Sequence, residues 1–331
     1  MITPTIIAGT PCTINVHIDT VPVRIDTFLS HTFPQYSRSF FKRLIEEGCI
    51  IRNNFVVQKE SVLVKPDDSI TITIPALRDR RAIIQAAAAK EHQRTDVTII
   101  FEHKDFLIIN KPSNMVVHAP SQRSTIFSLS DWLVMQYSEL ETVGYEDRPG
   151  IVHRLDKDTT GIMIIPRNTQ AHTAISALFK NRQLTKTYCA VVEGHPVEEG
   201  AISYPISRHP TDRNRMTHLI PTGRSALTTF SVQEYFESTA LLNVCIHTGR
   251  THQIRVHCSA IGHPVMGDPI YGHRSKLIKR QALHASSLAF EWEGTNYCFS
   301  ATLPDDMNML IKELQKRERS SHFPEGIDPL D

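Results

Sequence analysis

Gly150-Ile151-Val152-His153-Arg154-Leu155-Asp156-Lys157-Asp158-Thr159-Thr160-Gly161 runs directly into the apolar segment Ile162-Met163-Ile164-Ile165. An apolar run of that length reads as a buried strand. The two cations, two carboxylates and two hydroxyls ahead of it therefore sit at a strand mouth, where a rigid support presents loop groups for chemistry. Taken alone, an Arg-Leu-Asp-Lys cluster more often marks a solvated loop, so the surrounding chain has to decide.

With 331 residues the chain has room for two domains, one of them with a substantial core. Its 36 Lys and Arg against 35 Asp and Glu leave a net charge of +1, so a nucleic-acid site has to be a local patch rather than a whole-molecule field. Cys12, Cys49, Cys189, Cys245, Cys258 and Cys298 are scattered without a C-x-x-C pair. That pattern fits a reducing cytosol and argues against a disulfide framework or a zinc knuckle. No N-terminal stretch joins a basic start to an apolar segment, and no apolar run approaches a membrane span. A cytoplasmic protein without membrane contact is expected.

Some motif matches fail on inspection. His247, His252 and His257 are five apart, which does not place them on one helical face, and no metal is expected. His153-Arg154-Leu155-Asp156 has the form of a kinase catalytic loop, but a glycine-rich loop upstream and D-F-G downstream are missing. Gly267 to Gly272 has P-loop spacing, yet His273 and Arg274 follow where Lys and Ser/Thr are needed.

Residues 1–20 read as a strand-like extension with Pro4 and Pro11. Residues 21–76 form a compact unit. Ile25, Phe28 and Leu29 have helical spacing, and Ser37 is the expected N-cap of a second helix, from Arg38 to Glu47, that Gly48 ends. Short strands are predicted around Ile50-Ile51, Phe55-Val56-Val57 and Ile70-Thr71-Ile72-Thr73-Ile74, with Asn53-Asn54 as a turn. The unit resembles the S4-like RNA-binding domain shared by a small-subunit ribosomal protein, tyrosyl-tRNA synthetases and many rRNA-modifying enzymes. The match lies in Arg24-Ile25-Asp26, Tyr36-Ser37-Arg38-Ser39, Leu44-Ile45, Gly48 and Val64-Lys65-Pro66-Asp67-Asp68. Asn53-Asn54 stands where that family usually has Asn-Gly. The resemblance implies phosphate contacts from Arg38, Lys42 and Arg43, whose bland alternative is a solvated helix face. Residues 77–95, basic and rich in alanine without glycine, read as a partly helical linker. A catalytic domain is expected over 96–306, and a polar helix with a tail over 307–331.

The opening segment resembles, nearly residue for residue, the catalytic motif of the RluA-type pseudouridine synthases, and further segments match that family in order. These are Asn110-Lys111-Pro112, Lys186-Thr187-Tyr188, Thr248-Gly249-Arg250-Thr251-His252-Gln253-Ile254-Arg255-Val256-His257, and Gly262-His263-Pro264-Val265-Met266-Gly267-Asp268-Pro269-Ile270-Tyr271-Gly272 followed by Leu283-His284-Ala285. Gly249 is read as permitting a turn, Thr251 as capping the helix that Gly262 ends, and the Gly262–Gly272 segment as architecture. Pro112 ends a strand and leaves Lys111 at its edge. The basic run Arg208, Arg213, Arg215 to Arg224 resembles an RNA-gripping hairpin of the RluD-type large-subunit synthases more than the RluC type. Ile165-Pro166-Arg167 departs from the family, and Pro166, lacking an N–H, is expected to end strand pairing early.

The resemblance implies an α+β catalytic domain with a mixed, largely antiparallel sheet, beside the small N-terminal α/β RNA-binding domain. It makes Asp156 the catalytic residue, Arg255 its ion-pair partner, Tyr188 a residue against the target base and a candidate proton acceptor, and Ile254 part of the base pocket. Arg154 and His153 are placed with base flipping, because a planar guanidinium can stack in a vacated position. Isomerising uridine to pseudouridine needs a carboxylate near sugar or base, an apolar seat for the freed uracil and an acceptor for the carbon-5 proton. It needs no cofactor and no metal. Attack on the anomeric carbon, attack on the ring and removal of a sugar proton are all compatible with one aspartate. The expected partner is structured RNA, foremost large-subunit rRNA, bound by a monomer. A non-catalytic RNA-binding factor and a nucleoside-cleaving hydrolase are the alternatives.

Overall fold

The computed structural model describes residues 9–17, 20–34, 36–74, 78–89, 97–121, 123–145, 148–212 and 214–322. The chain divides into two units, Met1–Asp79 with Ser121–Thr125, and Arg80–Pro120 with Ile126–Asp331.

In the smaller unit, helices Ile25–Thr32 and Arg38–Glu46 pack apolar residues at three- and four-residue spacing onto a four-stranded antiparallel sheet. Ile25, Leu29, Phe41, Leu44, Ile50, Ile70 and Ile72 are fully buried there. Ser37 caps the second helix by accepting the Phe40 N–H at 3.2 Å. Asn53 and Asn54 both take positive φ, 49° and 70°, the conformation a two-residue hairpin asks of its turn, so the loss of Asn-Gly does not open it. The predicted extension is part of this unit: Pro11–Asn15 pairs along its whole length with Ser69–Thr73.

The larger unit is built on a nine-stranded sheet. Its order is Glu199–Ile202, Thr228–Tyr235, Thr239–Ile246, Thr185–Glu193, Leu283–Trp292, Thr160–Pro166, Phe106–Lys111, Thr98–Glu102, with Thr295–Ser300 also pairing with Leu283–Trp292. Every pairing in it is antiparallel except Thr160–Pro166 with Leu283–Trp292, so the sheet is mixed and largely antiparallel as expected. That parallel pair explains Gly161, the last residue of the opening motif. Its φ is 121°, and a Cβ there would lie 2.2 Å from the Ala285 carbonyl oxygen. Only glycine lets the two backbones approach so closely.

All residues of Thr160–Pro166 are buried, as a run with neighbours on both edges and both faces covered should be. Pro166 does not shorten the pairing. The ladder reaches Pro166 opposite Phe106, and Arg167 N–H then closes on the Asp105 carbonyl at 2.8 Å. A proline as last strand residue forfeits no interior ladder bond.

Two boundaries differ from expectation because apolar faces dock. The linker forms a helix, Arg80–Ala88, whose Ile84 packs on the large core and whose Arg80 pairs with buried Asp131 at 3.2 Å. The C-terminal helix Asp305–His322 buries Met307, Leu310 and Leu314 in that same core, and Arg280 grips Asp306 at 2.7 and 2.8 Å. Both belong to the catalytic unit. No helix among the described residues is long and apolar enough to cross a membrane.

Candidate active site

Two strand mouths and one helix converge on Asp156. The loop carrying it precedes strand Thr160–Pro166 and is held from beneath by Lys111. The Lys111 side chain is fully buried, and its Nζ donates to the carbonyls of Pro112, Met115 and Lys157 at 2.7, 3.0 and 3.1 Å. Burial lowers its pKa to about 7, opposed by the charges of Asp158 and Asp156. The expected strand-edge lysine is thus a buried staple between the two motif loops. Asn114 N–H adds a bond to Asp158 Oδ1 at 3.2 Å.

Arg255 comes from helix Gln253–Ala260 and points back at the same loop. Its Nη1 donates to Asp156 Oδ2 at 3.0 Å, while Nε and Nη2 form a two-pronged pair with Asp268 at 2.6 and 2.9 Å. The Arg255 side chain is 4% exposed, Asp268 0% and Asp156 16%, so the only part of this chain that opens toward solvent is the Asp156 carboxylate. Burial alone would lower the Arg255 pKa, but Asp268 and Asp156 outweigh it and raise it, so the guanidinium stays charged. Asp268 in turn is pushed up by burial and more strongly down by Arg255 and by the N–H groups of Ile270 and Tyr271. The Gly262–Gly272 segment is therefore more than architecture: it supplies the second anion. Sequence reading missed Asp268, since nothing in Gly-Asp-Pro announces a partner from a helix thirteen residues earlier.

The Asp156 carboxylate faces a cavity of about 650 Å³. Asp156 is the one acidic residue among its lining residues, against eight cations: Arg148, Arg154, Lys180, Arg182, Lys186, Arg224, Arg250 and Arg255. That sign imbalance is local, as the near-zero net charge requires. Ile254, 4% exposed, and Leu283 add apolar wall. Tyr188 sits where the register shifts between Thr187 and Tyr188, an irregularity that re-aims a side chain beside a site. Burial, and then the charge of Asp156, raise its pKa well above the usual phenol value, so its hydroxyl stays protonated.

The remaining sequence-named residues are distributed unevenly. Arg154 is exposed on the cavity wall. His153 also lines it, but its Nε2 accepts the Ile164 N–H at 3.0 Å and its ring stacks on Phe179 at 4.6 Å. Burial holds its pKa down at about 3, and a neutral, bonded imidazole here positions the loop. Arg224 reaches the cavity, Arg215 lies over the Tyr271 ring at 5.6 Å, Arg208 is exposed on the short strand Ser207–Arg208, and Arg213 lies outside the described residues. Arg148, Lys180 and Arg182 were not anticipated, because Lys180 and Arg182 close one helix, Arg148 precedes the opening motif, and none of the three carries a local pattern of its own. Thr251 caps nothing: the helix begins after His252 at φ 57°, and Gln253 Oε1 accepts the Arg250 N–H at 3.0 Å instead. Gly249 keeps an ordinary backbone with open space where a Cβ would go.

In the smaller unit, Arg38 bonds buried Asp26 at 2.7 Å, Lys42 pairs with Glu60 at 3.2 Å and Arg43 lies over Phe40 at 5.6 Å. Burial pushes the Asp26 pKa up, yet Arg24 and Arg38 hold it at about 2. Arg38 is thus partly structural. His247, His252 and His257 bond to Thr229, Tyr271 and Thr228 in turn, and no group of three metal-binding side chains occurs among the described residues.

A carboxylate on a buried Arg–Asp support, at the floor of a basic cavity in a mixed sheet, together with an S4-like unit, defines an RNA-modifying class. Residues 105–260 match the family model described as RNA pseudouridylate synthase, and residues 23–70 match the S4 domain. A protein of Bacillus subtilis (strain 168) described as an uncharacterized RNA pseudouridine synthase is 38% identical over 299 residues, covering 88% of this chain and 94% of the relative. Ribosomal large subunit pseudouridine synthase D of Escherichia coli (strain K12) is 35% identical over 324 residues, covering 93% and 94%. The solved structure of human RNA pseudouridylate synthase domain containing 1 aligns with a TM-score of 0.54 at 26% identity, covering 68% of this chain and 96% of that one. The chain belongs to the RNA pseudouridine synthase family and is an isomerase acting on RNA.

Proposed function

We infer that the protein converts specific uridines of large-subunit rRNA to pseudouridine, as a cytoplasmic monomer, with Asp156 as the catalytic carboxylate acting on a flipped-out nucleotide. The observation that carries this reading is the isolation of Asp156: one carboxylate, pinned by buried Arg255, in a cavity whose other lining residues include eight Lys and Arg and no second acid. Relatives named as large-subunit synthases support the choice of RNA.

The geometry supports the chemistry that such a conversion requires. The bond from N1 to the sugar breaks, the uracil turns, and C5 bonds to the same sugar carbon; the C5 proton leaves and N1 gains one, so no electrons enter or leave. Cationic walls compensate the RNA phosphates, and a base taken out of its stack, at a few kcal/mol, fits a cavity within the usual ligand range. Arg154, exposed on that wall, fills the vacated stack. Tyr188 lies against the base. A phenol held neutral cannot act as a free phenolate, so its hydroxyl passes the C5 proton onward, with Asp156 as receiver.

The test uses a large-subunit rRNA transcript labelled with tritium at uridine C5. Asp156→Asn should abolish tritium release while RNA binding falls little; turnover by that variant removes Asp156 from the mechanism. Release of free uracil by the native enzyme would mark a hydrolase instead.

A further inference from the structure

A second set of contacts ends on Asp156, at the oxygen Arg255 leaves open. Met216 N–H donates to Tyr271 Oη at 2.7 Å, and that oxygen lies 2.8 Å from His252 Nδ1. His252 Nε2 stands 3.8 Å from Asp156 Oδ1, while Arg255 holds Oδ2. Met216 opens strand Met216–Thr217, which pairs with Ser207–Arg208 in the basic hairpin.

The direction of these bonds can be deduced. A tyrosine hydroxyl has one proton to give. Its oxygen already accepts from Met216, and the guanidiniums of Arg215 and Arg255, 5.6 and 5.1 Å from the ring centre, cannot accept anything. Among the described residues the acceptor within reach of that proton is His252 Nδ1, so we assign the bond as Tyr271 O–H to Nδ1. A neutral imidazole that accepts at Nδ1 carries its own proton on Nε2, which here faces the carboxylate. His252 is further fixed by its left-handed backbone, φ 57°, and by its edge-on ring contact with Tyr271 at 5.6 Å. Burial is the main influence on its pKa and lowers it; Asp156 and Asp268 oppose, while Arg255 and Arg154 add to the lowering, so the neutral form is favoured.

The geometry points to His252 as a positioning residue for Asp156: its Nε2–H, oriented through Tyr271 by the backbone of the basic hairpin, closes on Oδ1 when RNA seats on that hairpin. A movement of about 1 Å turns the 3.8 Å approach into a hydrogen bond. The carboxylate is then aimed from both oxygens, and only when the hairpin is engaged. This role rests on Asp156 being the catalytic carboxylate.

The test compares His252→Asn, His252→Gln and Tyr271→Phe in the full chain, by tritium release from the same transcript at saturation. Asparagine tolerates the positive φ but is too short to reach Asp156, whereas glutamine carries an N–H to about the Nε2 position. A hydrogen bond to a charged group corresponds to a loss of roughly 10- to 100-fold in kcat for His252→Asn, with KM little changed. His252→Gln should recover a good part of that loss, and Tyr271→Phe should lower kcat with KM unchanged. A kcat for His252→Asn at the native level, or no recovery by glutamine, overturns the proposal. Should His252→Asn not fold, an unchanged kcat for Tyr271→Phe overturns it. Asp156→Asn is run beside them. If that variant turns over, the reading of Asp156 fails and takes this role with it; if it is dead while His252→Asn is fully active, the His252 role alone falls.

Discussion

Asp268→Asn isolates the charge that holds Arg255. Asparagine keeps the size of the side chain and an oxygen that can still accept the Ile270 and Tyr271 N–H groups at 2.9 and 3.2 Å. It cannot balance a guanidinium that is 4% exposed and bonded to Asp268 at 2.6 and 2.9 Å. Breaking a buried pair by removing one partner costs about 3–5 kcal/mol. Asp156 still offers Arg255 one bond at 3.0 Å, which places the loss at the lower end, about 3 kcal/mol. For a unit of this size that is a fall in melting temperature of roughly 6–12 °C. The assay is thermal and urea unfolding of both proteins at neutral pH and then at falling pH. Because the folded-state pKa of Asp268 is depressed below its ordinary 3.8, its stabilisation is complete above that value and lost as pH falls through the lower, folded value. The gap between native and variant should therefore close below about pH 4. A gap under about 1 kcal/mol at neutral pH, or one that does not narrow in acid, would refute the reasoning.

Other expectations follow from single contacts. Tyr188→Phe keeps the ring beside the base but removes the hydroxyl, so RNA binding should survive and tritium release should slow; full activity would leave Tyr188 a packing role. His153 is protonated at its ordinary 6.5 when unfolded but only near 3 when folded, so acidification between those values destabilises the native protein. His153→Gln offers Ile164 N–H an acceptor that does not titrate, and its stability should fall less steeply over that window in acid unfolding curves. In the smaller unit, Lys42→Ala with Arg43→Ala should weaken RNA affinity and reduce the salt slope of log affinity by roughly 0.7 per lost phosphate contact, leaving the modified position unchanged. Unaltered slope would make that helix a solvated face and leave capture to the Arg208–Arg224 segment. Arg38 is kept out of this variant because its removal also strips buried Asp26 of a partner.

What the sequence determined by itself was local and repetitive in character. Helical spacing around Leu29 and Leu44, the Ser37 cap, the Asn53-Asn54 turn and the buried strand after Asp156 all follow from interactions within a few residues. The ordered motifs named the family and, with it, Asp156, Arg255 and Tyr188. The motifs also implied the Asp156–Arg255 pair, and tertiary structure alone decided what supports it. Asp156 and Arg255 are 99 residues apart, and Asp268 completes their chain from a turn. Lys111 became a buried staple, and His153 a bonded ring, because of what the fold laid over them. The same holds for the two helices expected to lie outside the catalytic domain, and for Gly161, whose need is visible only where Ala285 crosses it. Burial and ion pairing are set by non-local strand pairing, and a residue's own neighbours in sequence carry no record of what will cover it.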